Sequence, residues 1–403
     1  MNKSNPNSLL VKATLLFTST LTVMAGATIA PSLPDIRNYF SSVENADYLV
    51  RLVLTLPALF IVIGSPISGV IIDHFGRKPL LAASVLLYGL AGSSGFVLNS
   101  LGSILIGRAL LGLAVGGIMT SATTLIADYY VGAARAYFMG LQAAFMGFGG
   151  VVFLSFGGWL AEFNWHAPFL IYLFALVILP FIVLFLYEPN RPIIRTTSQG
   201  TEQLDQSPLP IKLLVLIYGV AVLTQIIFYM IPVQLPFYLK SLTNASASQS
   251  GLAIAFATLF SSFASLAYGR IKTHLDFISI LTLIFGLLGV GYVIIGRVQS
   301  YEQILIGLAV SGLGLGLLMP NLTVWVSAVV TDALRGRALG GVTTFFFLGQ
   351  FLSPIFSQPL SQQIGLGTTY SLAGGLLLLL ALTFVAMRQQ MVALTNSSQS
   401  SHL

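Results

Sequence analysis

The chain has 403 residues; 56% are hydrophobic, 7% are charged, none is cysteine, and the formal net charge is +6. A soluble globular chain carries about 25% charged residues, so this one lacks the polar surface that water requires and reads as an integral membrane protein. Without cysteine there are no disulfides or thiol nucleophiles, and His74, His166, His274 and His402 have no metal-ligand spacing, so no metal or cofactor is expected.

A spanning helix needs about 20 predominantly apolar residues. Runs of that size predict twelve helices, near 10–33, 47–72, 79–98, 103–126, 136–160, 167–187, 211–238, 248–270, 277–296, 303–326, 337–361 and 367–387. The first run contains the small residues of "MAGATIA" (24–30), but it is long and only Lys3 and Lys12 precede it, so it is read as a span and not a cleaved leader.

Between spans two and three lies "GVIIDHFGRKP" (69–79), a local concentration of charge in a poorly charged chain. Loop anchoring by Arg77 and Lys78 accounts for the cations; it leaves Asp73, Gly69 and Gly76 unexplained. In span four, Arg108 sits about six residues from the middle, roughly 9 Å at 1.5 Å per residue. A mid-helix arginine costs about 2.5–3.5 kcal/mol on insertion scales, so Arg108 is expected either to face the bundle interior or to snorkel to the interface.

The segment 188–210, "EPNRPIIRTTSQGTEQLDQSPLP", has no apolar face and reads as a linker between an N-terminal half, 1–187, and a C-terminal half, 211–388. In span seven, Pro232 and Pro236 are expected to bend the helix. Gln225 and Tyr229 in span seven, Asn321 and Trp325 in span ten and Gln350 in span eleven are candidate lining for an uncharged substrate cavity, or else interhelical hydrogen-bonding groups. The tail, 389–403, reads as disordered. No acid lies at the centre of a predicted span, which argues against a strongly cationic substrate; Asp35, Glu162 and Asp128, at span ends, are the remaining candidates for a proton site.

An even number of spans puts both termini on one side. That side collects Lys3, Lys12, Arg77, Lys78, Arg135, Arg191, Arg195, Lys212, Arg270, Lys272, Arg335, Arg337 and Arg388; Arg37, Arg51, Arg108, Lys240 and Arg297 fall on or toward the other. The bias predicts cytoplasmic termini in a cell membrane and gives no reason to invoke nucleic acid.

The halves repeat at an offset of 200 residues. Gly69 falls on Gly269, His74 on His274, Gly112 on Gly312, Gly116 on Gly316, Met119 on Met319, Arg135 on Arg335, Gly140 on Gly340 and Gly149 on Gly349. One ungapped offset across loops and helices predicts two similar six-helix bundles, with a site between them. Gly112, Gly116, Gly140, Gly149, Gly157 and Gly158 are expected at close helix contacts.

In "GVIIDHFGRKP" the chain resembles the major facilitator superfamily, whose loop signature Gly-x-x-x-Asp-Arg-x-Gly-Arg-Lys is met by Gly69, Asp73, Gly76, Arg77 and Lys78, with His74 where arginine is usual. "GRALLGLAVGG" (107–117) is similar to the family's fourth-helix motif through Arg108, Gly112 and Gly116. "GLQAAFMGFGGVVFLSFGG" (140–158) is similar to the fifth-helix motif of its antiporters, but Phe153 and Leu154 replace the distinctive Gly-Pro pair. The resemblance covers essentially the whole chain. It implies an all-α membrane fold of twelve helices in two pseudo-symmetric bundles. It also implies a cytoplasmic gate in which Asp73 meets the start of span eleven near Arg335 and Arg337, while Arg77 pairs with Asp128.

The function expected is secondary transport by alternating access, by a monomer and not an enzyme. The favoured version is efflux of a small amphipathic drug or metabolite, with protons as the counter-ion. A facilitator or importer of a neutral or anionic nutrient stays open, as does a non-transporting sensor or scaffold. No Gly-x-x-x-x-Gly-Lys-Ser/Thr loop is present to couple ATP directly.

Overall fold

A computed structural model describes residues 6–189 and 210–389. The predicted linker and tail therefore lie outside the described residues, apart from residues 188, 189, 210 and 389 at their edges. Among the described residues, twelve helices are long and apolar enough to cross a membrane. They are α1 (Leu9–Tyr39), α2 (Ala46–Phe75), α3 (Arg77–Phe96), α4 (Leu101–Tyr129), α5 (Gly132–Phe163), α6 (Ala167–Phe185), α7 (Ile211–Thr243), α8 (Ala247–Lys272), α9 (Phe277–Arg297), α10 (Tyr301–Val329), α11 (Leu334–Ile364) and α12 (Leu366–Ala386). The loops after α2, α4, α8 and α10 share one end of the bundle, called here the Gly76 end; those after α1, α3, α5 and α7 share the opposite, Asp35 end.

Several helices start earlier than hydropathy places them, because polar caps extend them past the apolar stretch. Ser100 and Ser300, one repeat apart, each accept a hydrogen bond from the backbone N–H three residues on, so α4 begins at Leu101 and α10 at Tyr301. Ser246 and Gln249 form a reciprocal capping box at α8. His74 and His274 both bring Nδ1 to the carbonyl four residues back, 2.9 Å from Val70 O and 3.0 Å from Arg270 O.

Within the N-terminal half α4 packs on α2 and α3; within the C-terminal half α10 packs on α8 and α9. The repeated glycines set these contacts. A Cβ on Gly112 would strike Pro57 O, and one on Gly312 would strike Ala257 O, at the same offset of 200. Between halves the extensive contacts are α5 with α8 and α2 with α11.

The first span is not continuous. Its helix stops at Ala27, a short 3₁₀ turn covers Ala30–Ser32, and helix resumes over Leu33–Tyr39. Pro31 and Pro34, which lack backbone N–H groups, account for the interruption. The seventh span breaks at Tyr229, between Ile211–Phe228 and Met230–Thr243. Pro232 cannot donate to Phe228 O, so the break falls a turn before the proline.

Candidate functional site

Each break leaves carbonyls that water cannot reach within a bilayer, so side chains must supply the donors. In the N-terminal half Arg108, 1% exposed, does this. Its Nε donates to Val53 O at 2.9 Å, Nη1 to Tyr172 Oη at 2.9 Å and Nη2 to Ala25 O at 2.8 Å. Tyr88 Oη donates to Leu21 O at 2.7 Å. A hydrogen bond to a charged group contributes about 1.5–3 kcal/mol, so three of them offset the insertion cost of the arginine. Arg108 thus faces inward and ties α1, α2 and α6 to α4; it does not snorkel.

In the C-terminal half two tyrosines meet the corresponding need. Tyr292 Oη donates to Ile227 O at 2.7 Å and approaches Phe228 O at 3.1 Å, the carbonyl that Pro232 leaves free. Tyr370 Oη donates to Met230 O at 3.0 Å.

At the Asp35 end the halves are joined across two seams. In the first, α5 meets α8 backbone to backbone: a Cβ on Gly158 would lie 2.8 Å from Ala247 O and 3.1 Å from Gly251 Cα, and one on Gly251 would lie 2.7 Å from Leu154 O. Glu162, one turn outward, accepts from Ser246 Oγ at 2.6 Å and from Ser248 N at 3.2 Å. In the second, Arg51 of α2 reaches into the C-terminal half. It is 4% exposed, donates Nε to Gln234 Oε1 at 2.9 Å and stacks 4.0 Å from the Phe237 ring centroid. Gln234 Nε2 in turn donates to Ser357 Oγ at 3.2 Å and Gln358 Oε1 at 3.1 Å on α11. Lys240 Nζ pairs with Asp35 Oδ1 at 2.6 Å between the seams. Deeper, Tyr229 Oη donates to Gly26 O at 2.7 Å, joining the two broken helices across the halves.

Toward the Gly76 end several glycines have open space beside them. A Cβ at Gly69, Gly140, Gly336 or Gly340 would meet nothing within 4 Å beyond its own stretch of helix. A cavity of about 540 Å³ opens between α5 of one half and α8, α10 and α11 of the other. Ala143, Gly147, Thr258, Ser262, Met319 and Phe346 are among its walls, and no charged side chain lines it among the described residues.

The residues picked out from sequence distribute as follows. Arg77 Nε lies 3.0 Å from Asp128 Oδ2, within the N-terminal half. Asp73 and Arg337 are exposed on their respective helices and Arg335 is half-buried. Gly76 has φ +98°, a conformation that favours glycine, and the Glu188 carboxylate lies against it, 2.8 Å from where a Cβ would be. The carboxylate at that helix start belongs to Glu188, which sequence reading assigned to the linker: it accepts from Arg77 N at 2.9 Å and Lys78 N at 2.8 Å, where the α3 macrodipole favours an anion. Lys78 Nζ donates to Val183 O at 2.7 Å.

Gly112, Gly116, Gly149, Gly157 and Gly158 all lie at close contacts, against Pro57, Ser65, Thr20, Thr28 and Ala247. Gly140 does not; a Cβ there would meet open space. Of the expected cavity residues, Gln225 and Gln350 approach each other, with Gln350 Nε2 3.4 Å from Gln225 Oε1, and Gln225 Nε2 is buried without a partner among the described residues. Tyr229 is instead a contact between halves. Asn321 and Trp325 are fully buried in the C-terminal half, away from the 540 Å³ cavity. Asn321 Nδ2 donates to Phe277 O at 3.1 Å, and Trp325 stacks on the Phe277 ring at 5.6 Å between centroids. They lie four residues apart on one face of α10, whereas Met319 and Pro320 turn toward the cavity.

The chain is 24% identical over 345 residues to "Quinolone resistance protein NorA" of Staphylococcus aureus, covering 80% of this chain and 84% of that protein. It is 34% identical over 110 residues to "Niacin transporter NiaP" of Acinetobacter baylyi, covering 27% of this chain and 25% of that protein. Among solved structures it resembles a D-xylose-proton symporter with a TM-score of 0.79 at 17% identity, over 93% of this chain and 96% of that one. It also resembles a bacterial homologue of the human lysosomal transporter Spinster, in an inward-facing and occupied conformation, with a TM-score of 0.75 at 15% identity, over 99% and 98% of the two chains. The sequence model of the Major Facilitator Superfamily matches residues 15–295 and 217–399. Two bundles joined across two seams with a cavity between them, in a chain matched along nearly its whole length, identify a transporter of the Major Facilitator Superfamily.

Proposed function

We propose that this transporter exports a small, amphipathic, neutral compound by alternating access, with its Gly76 end and both termini in the cytoplasm. The observation that carries the reading is the uncharged cavity of about 540 Å³ between the halves. Its apolar walls and scattered hydroxyls fit recognition by shape with few polar anchors. Of the arginines within the membrane, Arg108 is saturated by protein acceptors and Arg51 is bound at the opposite end, so neither offers a counter-charge in the cavity. The basic residues at the Gly76 end support its cytoplasmic placement, and the similarity along most of the chain to a quinolone resistance protein supports efflux. In this reading protons are the counter-ion. Asp35 and Glu162 are the acids placed to couple, because each is engaged across the halves and must exchange partners when that end opens.

The higher local identity to a niacin transporter favours a second reading, import or facilitated passage of a small nutrient. Both are decided in sealed liposomes holding the purified chain, with internal pH followed while lipophilic cations, neutral antibiotics and organic anions are added in turn. Export by antiport predicts a proton leak driven by the neutral amphipathic compounds and lost in the Asp35→Asn, Glu162→Gln double variant. Uptake down the substrate's own gradient with no pH change overturns antiport and leaves a facilitator; a leak driven by the cations alone overturns the assignment of a neutral substrate.

A further inference from the structure

A second cavity, of about 910 Å³, lies on the flank of the C-terminal half between α7, α11 and α12, away from the space between the halves. Its accessible polar groups cluster at one end; Ser357 and Thr369, also in its wall, are buried. Arg297, the last residue of α9, is there with Thr368 and Ser371 from the start of α12. The rest is hydrocarbon: Leu223 and Ile226 from α7, Phe356 from α11, Leu376 and Leu379 from α12. Phe356 is 59% exposed, Leu372 55% and Leu379 60%, so the groove opens outward from the bundle. From Thr368 to Leu379 the helix rises about 16 Å at 1.5 Å per residue. One leaflet of a hydrocarbon core about 30 Å thick is about 15 Å.

The groove therefore has the length of one leaflet, hydrocarbon walls toward the membrane centre, and an exposed cation with two hydroxyls at the depth where headgroups begin. Within a bilayer an apolar groove this size is filled by lipid, and the cation at its mouth selects which. We infer that this groove holds an anionic phospholipid of the leaflet at the Asp35 end, one acyl chain lying along α12 and the phosphate held by Arg297. The site is independent of substrate and of transport direction. It adjoins the seam between halves, because Ser357, which accepts from Gln234, also lines the groove.

The test counts lipids bound to the delipidated, detergent-purified chain by native mass spectrometry, with phosphatidylglycerol or phosphatidylcholine of the same acyl chains. The wild type should retain phosphatidylglycerol about fivefold more strongly, the preference that one basic residue gives at a charged membrane surface. Arg297→Gln, an exposed change, should abolish that preference and leave phosphatidylcholine retention as it was. Leu376→Trp, which fills the groove, should lower retention of both lipids. Equal retention of the two lipids by the wild type, or an undiminished preference in Arg297→Gln, overturns the assignment. Displacement of the bound lipid by glycerol phosphate at equal concentration would overturn it too, because the site would then recognise a free phosphate and not a lipid.

Discussion

The two seams that close the Asp35 end occupy equivalent positions and work by opposite means. At an offset of 200 residues, Gly251 of the α5–α8 seam corresponds to Arg51, and Gly158 corresponds to Gln358. Where one seam brings two glycines together, the other interposes the longest polar side chains available, linked through Gln234. The glycine seam holds by close packing, which is short-ranged, non-directional and indifferent to sliding. The arginine seam holds by directional hydrogen bonds around a buried charge, which must be rehydrated before the helices part. Two equal bundles closing on identical contacts would gain no asymmetry between the seams. Here one acts as a bearing that fixes the separation of the halves, and the other as a latch that fixes their register.

The largest expected effect is on the bearing. Gly158→Leu puts a branched side chain where a Cβ alone would be 2.8 Å from Ala247 O, and no rotamer relieves a clash with backbone. Closure of the Asp35 end should be lost and flux should fall at least tenfold. Because the chain has no cysteine, Ser248→Cys reports on that end without background, and its labelling by an impermeant maleimide should speed up correspondingly. Normal flux and normal protection in Gly158→Leu would show that the glycines are not what sets the separation.

The latch comes next. Gln234→Leu removes the acceptor of Arg51 Nε in the other half and leaves Arg51 only its polar contacts to Asp47 on its own helix, a loss of about 1.5–3 kcal/mol for a hydrogen bond to a charged group. Pairing it with Arg51→Met removes both partners and should recover most of that loss, because apolar replacement of a whole pair is often near neutral. The reporter is maleimide labelling at Gln362→Cys, exposed at the rim of the same seam. If the double variant labels as fast as Gln234→Leu, packing and not hydrogen bonding holds this seam.

Much of this was legible in the chain, and what was not has a physical pattern. The spans and the repeat follow from hydropathy and residue spacing, and the cost of charge in hydrocarbon narrowed Arg108 to facing inward or snorkelling, of which the structure shows the first. Arg51 was not recognised as a site because an arginine five residues inside a span also fits snorkelling at a helix end; its acceptor is 183 residues away in sequence. Gln234 stood in plain view between Pro232 and Pro236, yet a glutamine beside prolines points to a bend, and the bend masks the contact. Glu188 read as the first residue of a polar linker, because a carboxylate gives no sign of which helix start it will cap. Asn321 and Trp325 read as cavity residues because polarity within a span signals an unmet partner without saying on which face the partner lies.

A smaller effect separates the two ends of the bundle. A Cβ at Gly140 or Gly340 would meet open space, whereas Gly149 and Gly349 lie against Thr20 and Val222. Gly140→Ala should therefore raise thermal stability slightly, by about 0.5–1 kcal/mol from helix propensity alone, while Gly149→Ala, whose Cβ would stand 3.1 Å from the Thr20 side chain, should gain less. If the Gly76 end closes during transport, Gly140→Ala should also slow flux despite its greater stability. Equal flux with greater stability would place the closing contact elsewhere on α5.

The smallest effect belongs to the ion pair between the seams. Lys240 and Asp35 pair at 2.6 Å, but their side chains are 41% and 39% exposed. Exposed pairs contribute about 0–1 kcal/mol, and salt screens them. Lys240→Met should therefore increase labelling at Ser248→Cys by no more than about fivefold at low ionic strength, and the difference from wild type should shrink toward zero in about 1 M salt, where the screening length is about 3 Å. Gln234→Leu should keep its effect in the same salt, because the hydrogen bond it removes from Arg51 is buried and poorly screened. An effect of Lys240→Met that survived high salt would put Lys240 with Arg51 in the latch and leave the glycine seam alone as the part of this end that holds without charge.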